Sequence, residues 1–159
     1  MVRQTKQIKA KPVPKSILAS TAESHCWIVK FAPFRTSWSD IIRNGIFTLR
    51  GVRSPQARKN LSLMHIGDRV LFYHSQQEQA VAGLMTVARE AYPDPTSSDP
   101  HWLTCDFTPV RTLFRPVRLS KLRGNSRLTQ VCLIRQPRLA VGKITVEELG
   151  EILSLSELE

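Results

Sequence analysis

The chain predicts an α+β fold: a mixed, strongly curved β-sheet or small barrel with peripheral helices. Three observations carry this. The segment Arg-Val-Leu-Phe-Tyr-His at residues 69–74 is apolar at nearly every position. Val70 and Phe72 face one way, Leu71 and Tyr73 the other, so the strand must be covered on both faces. Five or six extended segments accompany three or four helical ones, without the strand–helix–strand alternation of a parallel doubly wound sheet.

Taken in order, residues 1–24 read as a disordered basic arm. Arg3, Lys6, Lys9, Lys11 and Lys15 face one acid, Glu23, and Pro12 and Pro14 prevent regular structure. The domain proper is expected over 25–159. His25 to Phe31 forms the first strand, ended by Pro33. Ser37 with Asp40 makes a helix start, Ile41 and Ile42 its buried side, and Asn44-Gly45 its stop. Trp38 is expected as a packing anchor. Phe47 to Val52 is extended. Ser54-Pro55 pairs a capping hydroxyl with proline at the first helical position, and Ala57, Leu61 and Met64 follow at helical spacing.

Gly67-Asp68 turns into the strand at 69–74, and residues 76–79 are a polar loop. Residues 80–88 form the next strand, in which Gly83 marks a bulge or a close backbone approach. The proline-rich stretch 92–100 is a loop, and Trp102 to Val110 another strand. An extended piece and a brief helical turn at Ser120 lead to residues 128–134, helical or irregular. Arg138 to Val141 reads as the last strand. Thr145 with Glu148 caps a final helix through Leu149, Ile152 and Leu153.

A length of 159 residues fits one domain. Lys plus Arg is 23 against 13 for Asp plus Glu, a net +10 that favours phosphate-bearing partners. Cys26, Cys105 and Cys132 are odd in number, far apart and set among apolar neighbours, which argues for core thiols in a reducing compartment and against a disulfide scaffold or zinc site. No apolar run approaches the roughly 18 residues of a membrane span. The early positive charges have no apolar run behind them, so no secretory signal is expected. The expected setting is a bacterial-type cytosol or nucleoid, with no metal, cofactor or membrane.

No catalytic constellation stands out. His74 and Ser75 are neighbours on a strand and point to opposite faces, where a serine–histidine dyad needs them facing each other. A binding site remains. Phe72-Tyr73-His74-Ser75 reads as the floor of a pocket and Gly51-Val52-Arg53 as its rim. Tyr73, Trp102 and Phe31 offer flat faces; His74, Ser75 and Arg53 offer hydrogen bonds.

From about His25 to Leu155 the chain resembles an EVE domain, a member of the PUA-like superfamily related to the YTH domain. The resemblance rests on Trp27-Ile28-Val29-Lys30 with Pro33, then Ser37-Trp38-Ser39-Asp40 and Gly51-Val52-Arg53 with Gln56-Ala57-Arg58 and Asn60. Gly67-Asp68 with Phe72-Tyr73-His74-Ser75, Ala91-Tyr92-Pro93-Asp94-Pro95, Trp102 with Asp106, and Arg135-Gln136 with Arg138-Leu139 and Val141 complete it. It implies a curved mixed sheet approaching a barrel, and a non-enzymatic pocket for one nucleobase, modified in many members, flipped from DNA or RNA.

On that reading Phe31, Arg53, Tyr73, His74, Ser75 and Trp102 form the base pocket, and Lys30, Arg50, Arg58 and Arg138 meet phosphate or line its rim. The chain departs from the family pattern at Phe31-Ala32 and at Pro137 and Ala140. It has Leu49 where a tryptophan is usual, and Ser54 after Arg53. Two alternatives stand beside this reading. One is a small hydrolase of modified nucleosides, as in PUA-like relatives of the ASCH type, with Lys30 as its activated amine. The other is a protein-interaction module using the basic surface.

Overall fold

Two short strands, each apolar on both faces, form the middle of the molecule. The computed structural model describes residues 25–157 other than 34 and 77, so the basic arm at 1–24 lies outside the described residues. Strand β1 (Cys26–Phe31) runs parallel to β3 (Arg69–His74), with Trp27 opposite Val70 and Val29 opposite Phe72. Antiparallel neighbours flank the pair. These are β4 (Ala80–Pro93) and β5 (Leu103–Arg118) on one side, ending in the two-residue β2 (Phe47–Thr48), and β6 (Val141–Ile144) on the other.

The order is β2-β5-β4-β3-β1-β6. The sheet is mixed, as expected, but open: β2 and β6 are its two edges and do not pair, so the barrel alternative is corrected. Beyond residue 107, β5 has β4 on one side and no strand on the other among the described residues. That free edge includes Pro109 and Pro116, which carry no N–H, and the exposed Arg111 and Arg118.

Strand alternation sorts the core into two layers. On one face Trp27, Val29, Val70 and Phe72 meet helix α1 (Trp38–Asn44) through Trp38 and Ile41, and α2 (Pro55–Ser62) through Ala57 and Leu61. On the other, Cys26, Ile28, Leu71 and Tyr73 meet a C-terminal layer. That layer comprises α3 (Leu119–Arg123), a 3₁₀ turn (Ser126–Leu128), α4 (Cys132–Arg135) and α5 (Val146–Leu155). The helix starts follow from their caps. Ser37 with Asp40 and Thr145 with Glu148 form complete capping boxes, and Ser54 Oγ accepts from the Ala57 N–H ahead of Pro55. Each such cap contributes about 1 kcal/mol. Gly45, at φ 75°, ends α1.

Element boundaries differ from expectation where turn chemistry competes. The last strand forms at Val141–Ile144, three residues later than read. The Leu139 N–H donates to the Gln136 carbonyl (3.0 Å), holding the Pro137 region as a turn. Gly142 belongs to this strand for a packing reason: a Cβ there would lie 2.3 Å from Cys132 Sγ. β5 absorbs the extended stretch after Val110 and runs to Arg118. All three thiols are free. Cys26 and Cys105 are buried and Cys132 half-buried. Burial pushes Cys105 up to about 12 and Cys132 up to about 11. No helix among the described residues is long and apolar enough to cross a membrane.

Trp38 ties the first layer together. Its backbone N–H donates to His74 Nε2 (2.9 Å), and its indole N–H to Thr112 Oγ1 (2.7 Å). Its ring lies over Gly83, where the β4 register shifts against β5. A Cβ added at Gly83 would sit 2.1 Å from the ring. Phe72 and Phe47 continue the aromatic packing, with centroids 5.8 Å (Trp38–Phe72) and 5.4 Å (Phe47–Phe72) apart. Gly83→Ala is therefore expected to destabilise by about 1–3 kcal/mol, the usual range for overpacking. In a double-mutant cycle Gly83→Ala should cost less in a Trp38→Leu background than in the parent, because the clash is then relieved. Urea denaturation checks both; a Gly83→Ala variant as stable as the parent would reject the close contact.

Candidate functional site

Where β1 and β3 end side by side, the chain leaves a cavity of about 350 Å³. Phe31 and Ala32 come from the end of β1; Ser75 and Gln76 follow β3. The Ser75 N–H donates to the Phe31 carbonyl (2.9 Å), so the two strand ends stay locked together at the cavity floor. One wall is the segment from Leu49 to Ser54 that leads into α2. The opposite wall is Arg138 and Ala140, tied to β1 by the Lys30 N–H donating to the Ala140 carbonyl (2.9 Å). Phe31, Leu49, Val52 and Ala140 make the apolar surface, and Lys30, Arg35, Arg50, Arg53 and Arg138 surround it. Among the described residues no carboxylate lines it.

Asp94 holds the Leu49–Ser54 wall from behind. Its side chain has no exposed surface. It accepts from the Gly51 N–H (2.8 Å), Arg53 Nη1 (2.9 Å), the Thr96 N–H (2.8 Å) and Thr96 Oγ1 (2.7 Å). Burial alone would raise its pKa. The Gly51 amide, both Thr96 donors and the Arg53 guanidinium outweigh burial and hold the carboxyl well below the usual range. Gly51 turns at φ 87°, a left-handed conformation that favours glycine, and a Cβ there would also meet the Arg35 guanidinium at 3.4 Å. Arg35 in turn lies over the Phe31 ring, 4.5 Å from its centroid. Lys30 donates to the Pro137 carbonyl, and burial pushes its pKa down.

Of the ten residues read as site residues, six line the cavity: Phe31, Arg53, Ser75, Lys30, Arg50 and Arg138. Four do not, which corrects their placement. Tyr73 points to the opposite face of β3 and is buried in the second core layer, as its alternation with Phe72 demands. His74 is buried against α1, its Nε2 accepting from Trp38 and its Nδ1 paired with Glu78. Trp102 lies behind the wall, its ring 5.9 Å from the Arg53 guanidinium and 5.6 Å from that of Arg58. Arg58 is bonded to His101 (2.8 Å). Asp106 accepts from Tyr92 and Thr48.

Arg35 and Asp94 were missed as parts of the site. Arg35 carries no local signal. Asp94 does: Asp-Pro-Thr is a turn in which an aspartate accepts from the amide two residues on.

A model of the EVE domain family matches residues 25–155. The chain belongs to the EVE domain family. It is 33% identical to human thymocyte nuclear protein 1, in a match covering 69% of this chain and 59% of that protein. It thus spans less than two thirds of that relative's length. A crystal structure of an Agrobacterium tumefaciens protein superposes with TM-score 0.83 at 33% identity, covering 85% of this chain and 94% of the other. The human THYN1 protein in complex with 5-methylcytosine-containing DNA superposes with TM-score 0.77 at 29% identity, covering 86% and 99%.

The buried Asp94 makes one property of this EVE domain measurable. Asp94→Asn removes the charge from four charge-assisted contacts and is expected to cost roughly 1.5–3 kcal/mol at neutral pH. Because the folded pKa is depressed, the carboxylate's contribution is present above the unfolded pKa near 3.8 and is lost as pH falls toward the folded value. The gap between wild type and variant should therefore narrow below about pH 4 in urea titrations. A gap independent of pH would show that the carboxylate's charge is not what holds the wall.

Proposed function

We propose that this EVE domain is a non-enzymatic reader that takes a single modified base, a methylated cytosine among the candidates, from DNA into the cavity beside Phe31. One observation carries the reading: an apolar recess ringed, among the described residues, by five cationic side chains and no carboxylate. Its volume lies at the small end of ligand pockets, roughly 300–1,000 Å³, a size for one nucleoside rather than a stretch of strand. The cations match the phosphates that accompany the base, and the net charge of +10 adds longer-range attraction. The human relative with 5-methylcytosine DNA supports this choice of partner.

The energetics set what the recess must do. Extruding a base costs a few kcal/mol, and stacking it on an aromatic face returns roughly 1–3 kcal/mol. Among the described residues Phe31 is the one aromatic side chain lining the recess, and Arg35 already covers it. On this reading Arg35 yields that face to the base and closes over it as a second, cationic wall. A buried methyl adds only about 0.8 kcal/mol, roughly fourfold. Discrimination therefore also needs the recess walls to exclude a poorly fitting base. Lys30 is the one feature that favours a hydrolase, because burial lowers its pKa. It is bonded to the Pro137 carbonyl, and the described residues of the lining supply no acid to work with it.

Ala140→Trp fills the recess. In fluorescence anisotropy with matched oligonucleotides, it should reduce the preference for a modified over an unmodified base to within about twofold, from at least the fourfold a methyl supplies. Arg50→Gln should weaken all oligonucleotides alike and lower the salt dependence by about one phosphate contact. A modified-base preference that survives Ala140→Trp would sink the reading. A stronger preference for RNA than DNA would reassign the strand, and turnover of modified nucleosides would favour the hydrolase.

A further inference from the structure

Next to the recess lies a second, more open groove of about 420 Å³, lined by Ser54, Gln56, Gln136, Pro137, Arg138 and Leu139. It shares Ser54 and Arg138 with the recess, so the two compartments meet along one wall. Resting on the proposed base-reading function, we propose that this groove holds the nucleotide adjacent to the extruded one and that Gln56 and Gln136 select adenine there. Arg138 then sits at the phosphate joining the two nucleotides. A strand with one base in the recess and the next in the groove must cross that shared wall, and Arg138 is its cation.

The selectivity argument comes from the glutamine pair. Gln56 and Gln136 are exposed, lie on α2 and just beyond α4, and bond to each other head to tail. Gln56 Nε2 donates to Gln136 Oε1 at 3.4 Å, and Gln136 Nε2 donates to Gln56 Oε1 at 3.2 Å. Both are longer than the usual 2.9–3.0 Å or so, so the pair opens at little cost. Once open, each amide presents one donor and one acceptor side by side. Adenine offers the complementary N6–H donor and N7 acceptor, and bidentate pairing with a glutamine amide is the recognised match. Guanine presents acceptors at both corresponding positions and leaves the amide oxygen unpaired. Pro137 and Leu139 give the base an apolar surface to lie on. Ser54 Oγ accepts from the Ala57 N–H, which leaves its O–H to donate to the strand.

The test uses the full chain and single-stranded DNA oligonucleotides with one 5-methylcytosine, or unmodified cytosine, whose 5′ and 3′ neighbours are varied through all four bases. Adenine on one side should bind about tenfold more tightly than guanine there. The double variant Gln56→Leu/Gln136→Leu should bring the four neighbours within about twofold while keeping the modified-base preference. Circular dichroism melting checks that it folds. Ala140→Trp, which fills the recess, should lose both preferences, because the base held there sets which neighbour reaches the groove. Equal binding of all neighbours, with the modification preference intact, overturns the groove assignment and leaves the recess reading standing. A neighbour preference that survives the double variant also overturns it. Loss of both preferences in the parent chain overturns both readings.

Discussion

The parallel pairing of β1 with β3 is the constraint from which the rest of the molecule follows. Both strands are apolar on both faces, so neither layer of the core can form without them and they cannot lie at a sheet edge. β4, itself buried over most of its first half, continues the sheet on one side and β6 closes it on the other. Parallel strands need a crossover between them, and this chain uses it well. The connection from Phe31 to Arg69 carries α1, β2 and α2, which is why Leu49–Ser54 passes over the strand ends and walls the cavity. The position of the recess is a topological result before it is a chemical one.

Its electrostatics are asymmetric. The carboxylate nearest the wall, Asp94, is turned away from the cavity and fully committed to backbone and side-chain donors. Its negative charge is spent on shaping the Gly51 turn and fixing Arg53. Lys30 is likewise engaged, with the Pro137 carbonyl. Arg35, Arg50 and Arg138 are exposed at the mouth of the recess. Rigid cations shape the recess and exposed ones face outward, an arrangement suited to a ligand whose charge sits at its periphery and whose centre is flat and neutral.

Much of this was legible in the sequence, unevenly. The two-faced strand at 69–74 fixed the mixed sheet, and Ser37, Ser54-Pro55 and Thr145 marked helix starts because a cap is a local interaction between residues three apart. Gly83 was read as a bulge or close approach, and it is both. The site was half legible. Residues on strand ends and on the wall were placed because alternation and order fix them. Tyr73 was misplaced although its alternation with Phe72 was already read, since an aromatic beside a polar cluster invites a pocket. Trp102 and His74 depend on how a loop and a helix fold back, which no local pattern records. Sheet closure is equally non-local: nothing in β2 or β6 says whether their edges meet.

One feature of the sheet reaches beyond the site. Among the described residues the outer half of β5 is its longest unpaired border, and such borders template strand-to-strand association between molecules. Here Pro109 and Pro116 interrupt the row of donors, and the exposed Arg111 and Arg118 charge it. A neighbouring copy would meet gaps and like charge where it sought a ladder. The outer half of β5 is thus guarded twice, by missing donors and by charge, against pairing with its own kind.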